Sequence, residues 1–175
     1  LEEWGGESTP GDDPENGELD FYQTWFLTQP PPANAGRAAR MRDQLEFLAC
    51  LQYDFYADIG RYYRETLGCK QLINAMNWKS ADAVTMGDAE RWTYTANEVV
   101  AVNRYTGVIH TGENNGYRID PGHFFVSEPV VKNPGTLPCA LKQVVGYPFI
   151  ITETSWVHPA EYQSEGPFLA AAYMS

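Results

Sequence analysis

The sequence predicts an α/β fold with parallel strands, in the form of half a (β/α)8 barrel. Two observations carry the prediction. From residue 36 onward, helix-like and strand-like segments follow one another in the order α-β-α-β-loop-β-α, the alternation that builds parallel sheets. Each strand-like run also ends in Asn, Tyr, Glu or Trp, and the carboxyl ends of barrel strands are where such folds place their chemistry.

The first 35 residues form an acidic, loop-rich segment, and residues 36–175 carry the half-barrel. Of the 23 acidic residues, eight fall within the first twenty positions, which hold no Lys or Arg. The other 15 stand against all 12 bases. The net charge of −11 argues against nucleic acid as a partner. Phe21 to Leu27 is a short aromatic segment, closed by Pro30-Pro31-Pro32.

A long helix is expected from Gly36 to Leu67. Met41, Leu45, Leu48, Phe55, Ile59 and Tyr62 form one stripe along it, and Gly68 suits the position just past its end. Arg37, Arg40 and Arg42, the basic cluster of this helix, read as a solvated face. Lys70 to Trp78 reads as a strand ending in Asn77 and Trp78. A shorter helix follows from a cap at Asp88 to Thr95. Glu98 to Tyr105 is the next strand, with Asn103 and Tyr105 at its tip.

Residues 106–138 are rich in Gly, Pro and Asn and too long for a simple connector, as functional loops are. The next strand is expected from Lys142 to Ile151, followed by Thr152, Glu153, Thr154, Ser155 and Trp156. Pro148 sits where a missing N–H is tolerated. Pro167 to Met174 begins a last helix.

The three cysteines, Cys50, Cys69 and Cys139, and the three histidines, His110, His123 and His158, show no metal-ligand spacing. The cysteines read as reduced, buried thiols, with one disulfide as the alternative, and neither metal nor cofactor is expected. No apolar run approaches 18 residues, so no membrane span is expected. The chain starts at Leu1 rather than Met, so a missing signal peptide leaves its compartment open, extracellular and periplasmic locations included.

Pro148-Phe149-Ile150-Ile151-Thr152-Glu153 resembles the seventh-strand tip of the clan A retaining glycoside hydrolases. Val102-Asn103-Arg104-Tyr105 resembles their sixth-strand tip, where the family usually has His-x-Tyr and this chain has Asn103 for the His. The resemblance spans residues 37–175 and implies strands five to seven of the barrel. It implies a carbohydrate substrate and a nucleophile at Glu153, held by a hydrogen bond from Tyr105. Trp156 would stack on a sugar face, and Asn77, Trp78 and Asn103 would contact hydroxyls. The long loop, with His110 and Glu113, would wall the cleft.

Retaining hydrolysis uses two carboxyl groups about 5–5.5 Å apart. The family's Asn-Glu acid/base tip has no counterpart on a strand here, since Glu15-Asn16-Gly17-Glu18 lies in the acidic loop. The resemblance therefore places the acid/base, and the other half of the barrel, upstream, and the chain alone is expected to be inactive. The rival reading is a non-catalytic carbohydrate-binding or structural relative, which would keep Trp78 and Trp156 without paired carboxylates.

Overall fold

The computed structural model describes residues 2–78, 82, 84–106, 108–116, 118–137 and 143–174. They fall into two compact units. The first comprises residues 1–75 and 80–99, the second residues 76–79 and 100–175.

The first unit is built on a long helix. After a short turn, α1 (Thr24–Leu27), α2 runs Ala35–Arg61 and continues as a wider π-type turn over Tyr62–Thr66. Asn34 caps its amino end, accepting the Arg37 N–H at 2.9 Å. Gly68, at φ 65°, ends it in the left-handed region open to glycine. α3 (Gly87–Tyr94) packs against α2, with Tyr53 and Trp92 stacked at 4.6 Å. Asp88 lies in the first turn of α3 rather than at its cap, which is Met86. Burial drives the phenol of Tyr94, wholly enclosed in this unit, far above its ordinary value.

The acidic segment is strapped to α2 through its positive charges. Arg40, expected on a solvated face, is 2% exposed. Its guanidinium holds Asp12 through bonds of 2.5 and 2.6 Å and donates to the Asp20 carbonyl at 2.6 Å. The rings of Trp4 and Tyr22 lie 4.9 and 5.1 Å from its carbon, near enough for cation–π attraction. Arg40 thereby holds the Asp12 carboxyl well below the usual carboxylate range. Gln44 adds a bonded pair to the Tyr22 N–H and carbonyl, at 2.9 and 2.8 Å. Cys50 is exposed, against expectation, as are Phe55, Ile59 and Tyr62 of the expected stripe, whereas α2 buries Arg40, Gln44, Tyr56 and Gly60; Cys139 lies outside the described residues.

Among its described residues the second unit carries four strands in two separate pairs. β1 (Val100–Thr106) and β4 (Phe149–Trp156) form a two-stranded parallel sheet, whereas β2 (Val108–Thr111) and β3 (Phe124–Ser127) form an antiparallel one. The helix α4 (Glu165–Met174) packs on β4. Gly166 sits against the Trp156 ring so closely that a Cβ there would lie 2.8 Å from Trp156 Cε3.

The half-barrel expected from the sequence is not what the chain forms. In place of three adjacent parallel strands there is one parallel pair. The stretch 70–78 contributes only an isolated bridge, Asn74 with Val99. The Glu98 carboxylate takes the Ile73 N–H at 2.9 Å, so a side chain occupies a donor that a longer ladder would use. The stretch 106–138, expected as a functional loop, instead pairs Val108–Thr111 with Phe124–Ser127 in its own antiparallel ladder. The last strand begins seven residues after Lys142, which lies outside the described residues, and runs on through Trp156.

Candidate functional site

Glu153 is positioned by an irregularity in the parallel pair. Val102 faces Ile151, but Asn103 faces Glu153, so Thr152 is an extra residue in β4. Such a bulge shifts which side chains share a face. The Thr152 hydroxyl lies 2.6 Å from Asn103 Oδ1 and 3.2 Å from the Val102 carbonyl, which ties the bulge to β1. Glu153 then stands on the same face as Asn103 and Tyr105, because paired residues in a ladder point to one side and alternate residues follow.

On that face the Tyr105 hydroxyl donates a hydrogen bond to a Glu153 carboxylate oxygen. Tyr105 reaches it diagonally, since its own partner in the ladder is Ser155. The bond to the carboxylate holds the Tyr105 phenol above its ordinary value; desolvation and the nearby negative charge act in the same direction. Both residues are open to solvent, Tyr105 by 43%. Behind them the backbone is fixed: the Asn103 N–H donates to the Asn77 carbonyl at 2.6 Å, and Val100 to Val102 are buried.

The structure thus brings together Glu153, Tyr105 and Asn103, with Asn77 joined through its backbone. Trp78 follows Asn77 and is exposed. Trp156 goes elsewhere. It is three residues from Glu153 along one strand, pairs with Thr106, and lies on the face toward α4. Arg104 and Thr106 share that face, and Arg104 Nε, Thr106 Oγ1 and Trp156 Nε1 are buried there with no hydrogen-bond partner among the described residues. His110 belongs to the β2–β3 pair, where its ring contacts His123 and Phe125. Glu113 is exposed in the turn after β2.

Chemically, the face offers one carboxylate, held by a phenol and accessible to a ligand. A carboxylate in that setting can attack a carbon electrophile or accept hydrogen bonds from hydroxyls. Sequence reasoning missed Thr152, whose polar neighbours Glu153, Thr154 and Ser155 conceal the strand that continues through them. Among the described residues no group of three His, Cys, Asp or Glu side chains is placed to hold a metal ion, and no helix is long and apolar enough to cross a membrane.

Comparison of the chain with family models, with curated proteins and with solved structures returns no match. The likeness to glycoside hydrolases therefore stands on the residues that carry it.

Proposed function

We propose that Glu153 is the nucleophile of a retaining β-glycosidase and Tyr105 the residue that positions it. The observation that supports this is the Tyr105–Glu153 hydrogen bond, formed between neighbouring parallel strands on a solvent-accessible face. In this reading the ionised carboxylate attacks the anomeric carbon. The bond from that carbon to the leaving oxygen breaks, and a covalent glycosyl-enzyme forms. Water then releases the sugar with its configuration retained.

Tyr105 fixes which carboxylate oxygen attacks, because the other accepts the phenolic hydrogen. Asn103 and Trp78 supply contacts to sugar hydroxyls and a sugar face. Protonating an ordinary leaving group needs a second carboxylic acid about 5–5.5 Å from the first. A leaving group acidic enough to depart as an anion removes that requirement.

The test is hydrolysis of 2,4-dinitrophenyl β-glycosides by the full chain. Wild type should turn them over with a burst of dinitrophenolate, and Glu153→Gln should abolish the burst, since an amide is a poor nucleophile. Tyr105→Phe should keep the burst but slow it. Equal release by wild type and Glu153→Gln refutes the assignment.

A further inference from the structure

We propose that the β2–β3 hairpin carries a binding site for one divalent transition-metal ion of the zinc class, held by His110 and His123. It is independent of the reading of Glu153. His110 Nε2 lies 2.8 Å from His123 Nδ1, so two imidazole nitrogens face each other across a single proton. The backbone settles where that proton sits. The Asp120 N–H also points at His123 Nδ1, at 3.3 Å. Nδ1 is therefore the acceptor, His123 carries its own hydrogen on Nε2, and His110 Nε2–H is the donor.

Each ring is fixed by contacts of its own. The His123 side chain is 7% exposed and fills a notch that Gly112 keeps open. At Gly112 a Cβ would lie 2.3 Å from His123 Cδ2, and its φ of 149° lies in the range open to glycine. The ring of Phe125 stacks on His110 with 4.4 Å between centroids and 12° between planes. Asn115 Nδ2 donates to the His110 carbonyl at 2.5 Å. Two imidazole nitrogens held this close supply two of the ligands that an imidazole metal site uses.

The geometry asks for little movement. Zn–N bonds of about 2.0–2.1 Å at a tetrahedral angle set two nitrogens about 3.3 Å apart, an opening of about 0.5 Å. His110 shifts its hydrogen from Nε2 to Nδ1 and the Asp120 N–H lets go of His123 Nδ1, so that both nitrogens present lone pairs to the ion. No net proton is released. Asp120 Oδ2 lies 4.0 Å from His123 Nε2 and accepts from Arg118 Nε at 2.6 Å, so the carboxylate stands near the ring without bonding to it. Among the described residues no third side chain of ligating type completes the set. Water fills the remaining positions, as it does in metal sites with open coordination.

The experiment adds Zn²⁺ to the full chain and follows the imidazole nitrogens by long-range ¹H–¹⁵N correlation. One equivalent should shift His110 Nε2 and His123 Nδ1 and leave His158, bonded to Gln163, unmoved. His110→Ala and His123→Ala should each weaken binding by about 10–100-fold or more, and His158→Ala should leave it unchanged. His123→Ala also empties the notch beside Gly112, so the wild-type nitrogen shifts decide the matter even where that variant loosens the hairpin. Zinc binding that follows Cys50 or Cys69 instead, or histidine resonances that do not move under excess Zn²⁺, overturns the proposal.

Discussion

Gly166→Ala tests the packing that turns Trp156 away from the site. The new methyl carbon would enter 2.8 Å from Trp156 Cε3 and 3.1 Å from Cδ2, inside van der Waals contact with a ring that α4 and the sheet confine. Overpacking of this kind costs about 1–3 kcal/mol. Against it, Ala is favoured over Gly in a helix by about 0.5–1 kcal/mol. The clash outweighs the propensity over most of these ranges, leaving a net loss of up to about 2.5 kcal/mol, or a fall in Tm of up to about 10 °C for a chain of this size. Thermal unfolding followed by tryptophan fluorescence reads the shift, and the Trp156 indole N–H resonance should move with it. A higher Tm in the variant, with that resonance unchanged, would show that Trp156 does not pack on Gly166.

Gly60→Ala should also destabilise, because its Cβ would fall 2.2 Å from Asn97 Oδ1 and displace the Asn97 bond to the Tyr56 carbonyl, 3.1 Å long; the loss of about 1 kcal/mol for that bond adds to the clash, and urea titration measures the sum. Asp12, whose carboxyl is depressed by Arg40, should give a one-sided pH dependence. Its stabilisation is present in full above the unfolded value of about 3.9 and is lost as pH falls through the lower folded value. Asp12→Asn should therefore be less stable than wild type at pH 7, with the gap closing below about pH 4; a gap that widens in acid contradicts the pairing. Tyr105→Phe should remove a phenol whose ionisation is delayed by Glu153, so a 295 nm titration should lose amplitude above the ordinary tyrosine range, while the Tyr94 phenol, delayed further by burial, is unaffected.

The helices were the most legible part of the sequence. The stripe from Met41 to Tyr62 and the glycine at 68 locate α2 to within a turn, since a 3.6-residue period needs no tertiary knowledge. β1 was legible for a similar reason, as Val99 to Val102 are uninterrupted and buried. The strand expected at 70–78 rested on two adjacent apolar residues, Leu72 and Ile73, and the structure spends the Ile73 N–H on Glu98. β2 and β3 are four residues each, and the turn between them holds Gly and Asn residues that suggested a functional loop rather than a hairpin.

Arg40 illustrates what local reading cannot reach. Its burial depends on Asp12, Trp4 and Tyr22, all distant in sequence. At the site, Glu153 and Tyr105 were readable from their strand tips, whereas Trp156 was assigned to the wrong side. Once β4 continues to residue 156, the period of two sends residues three apart to opposite faces.

The central claim is that Glu153 attacks an anomeric carbon. The direct measurement incubates the full chain with a 2,4-dinitrophenyl 2-deoxy-2-fluoro-β-glycoside, whose fluorine slows release of the covalent intermediate, and maps the labelled peptide by mass spectrometry. The account predicts one equivalent of label on Glu153 in wild type and none in Glu153→Gln. Label on Glu113, Glu128 or Glu161, or an unlabelled chain after complete exposure to the reagent, would contradict it.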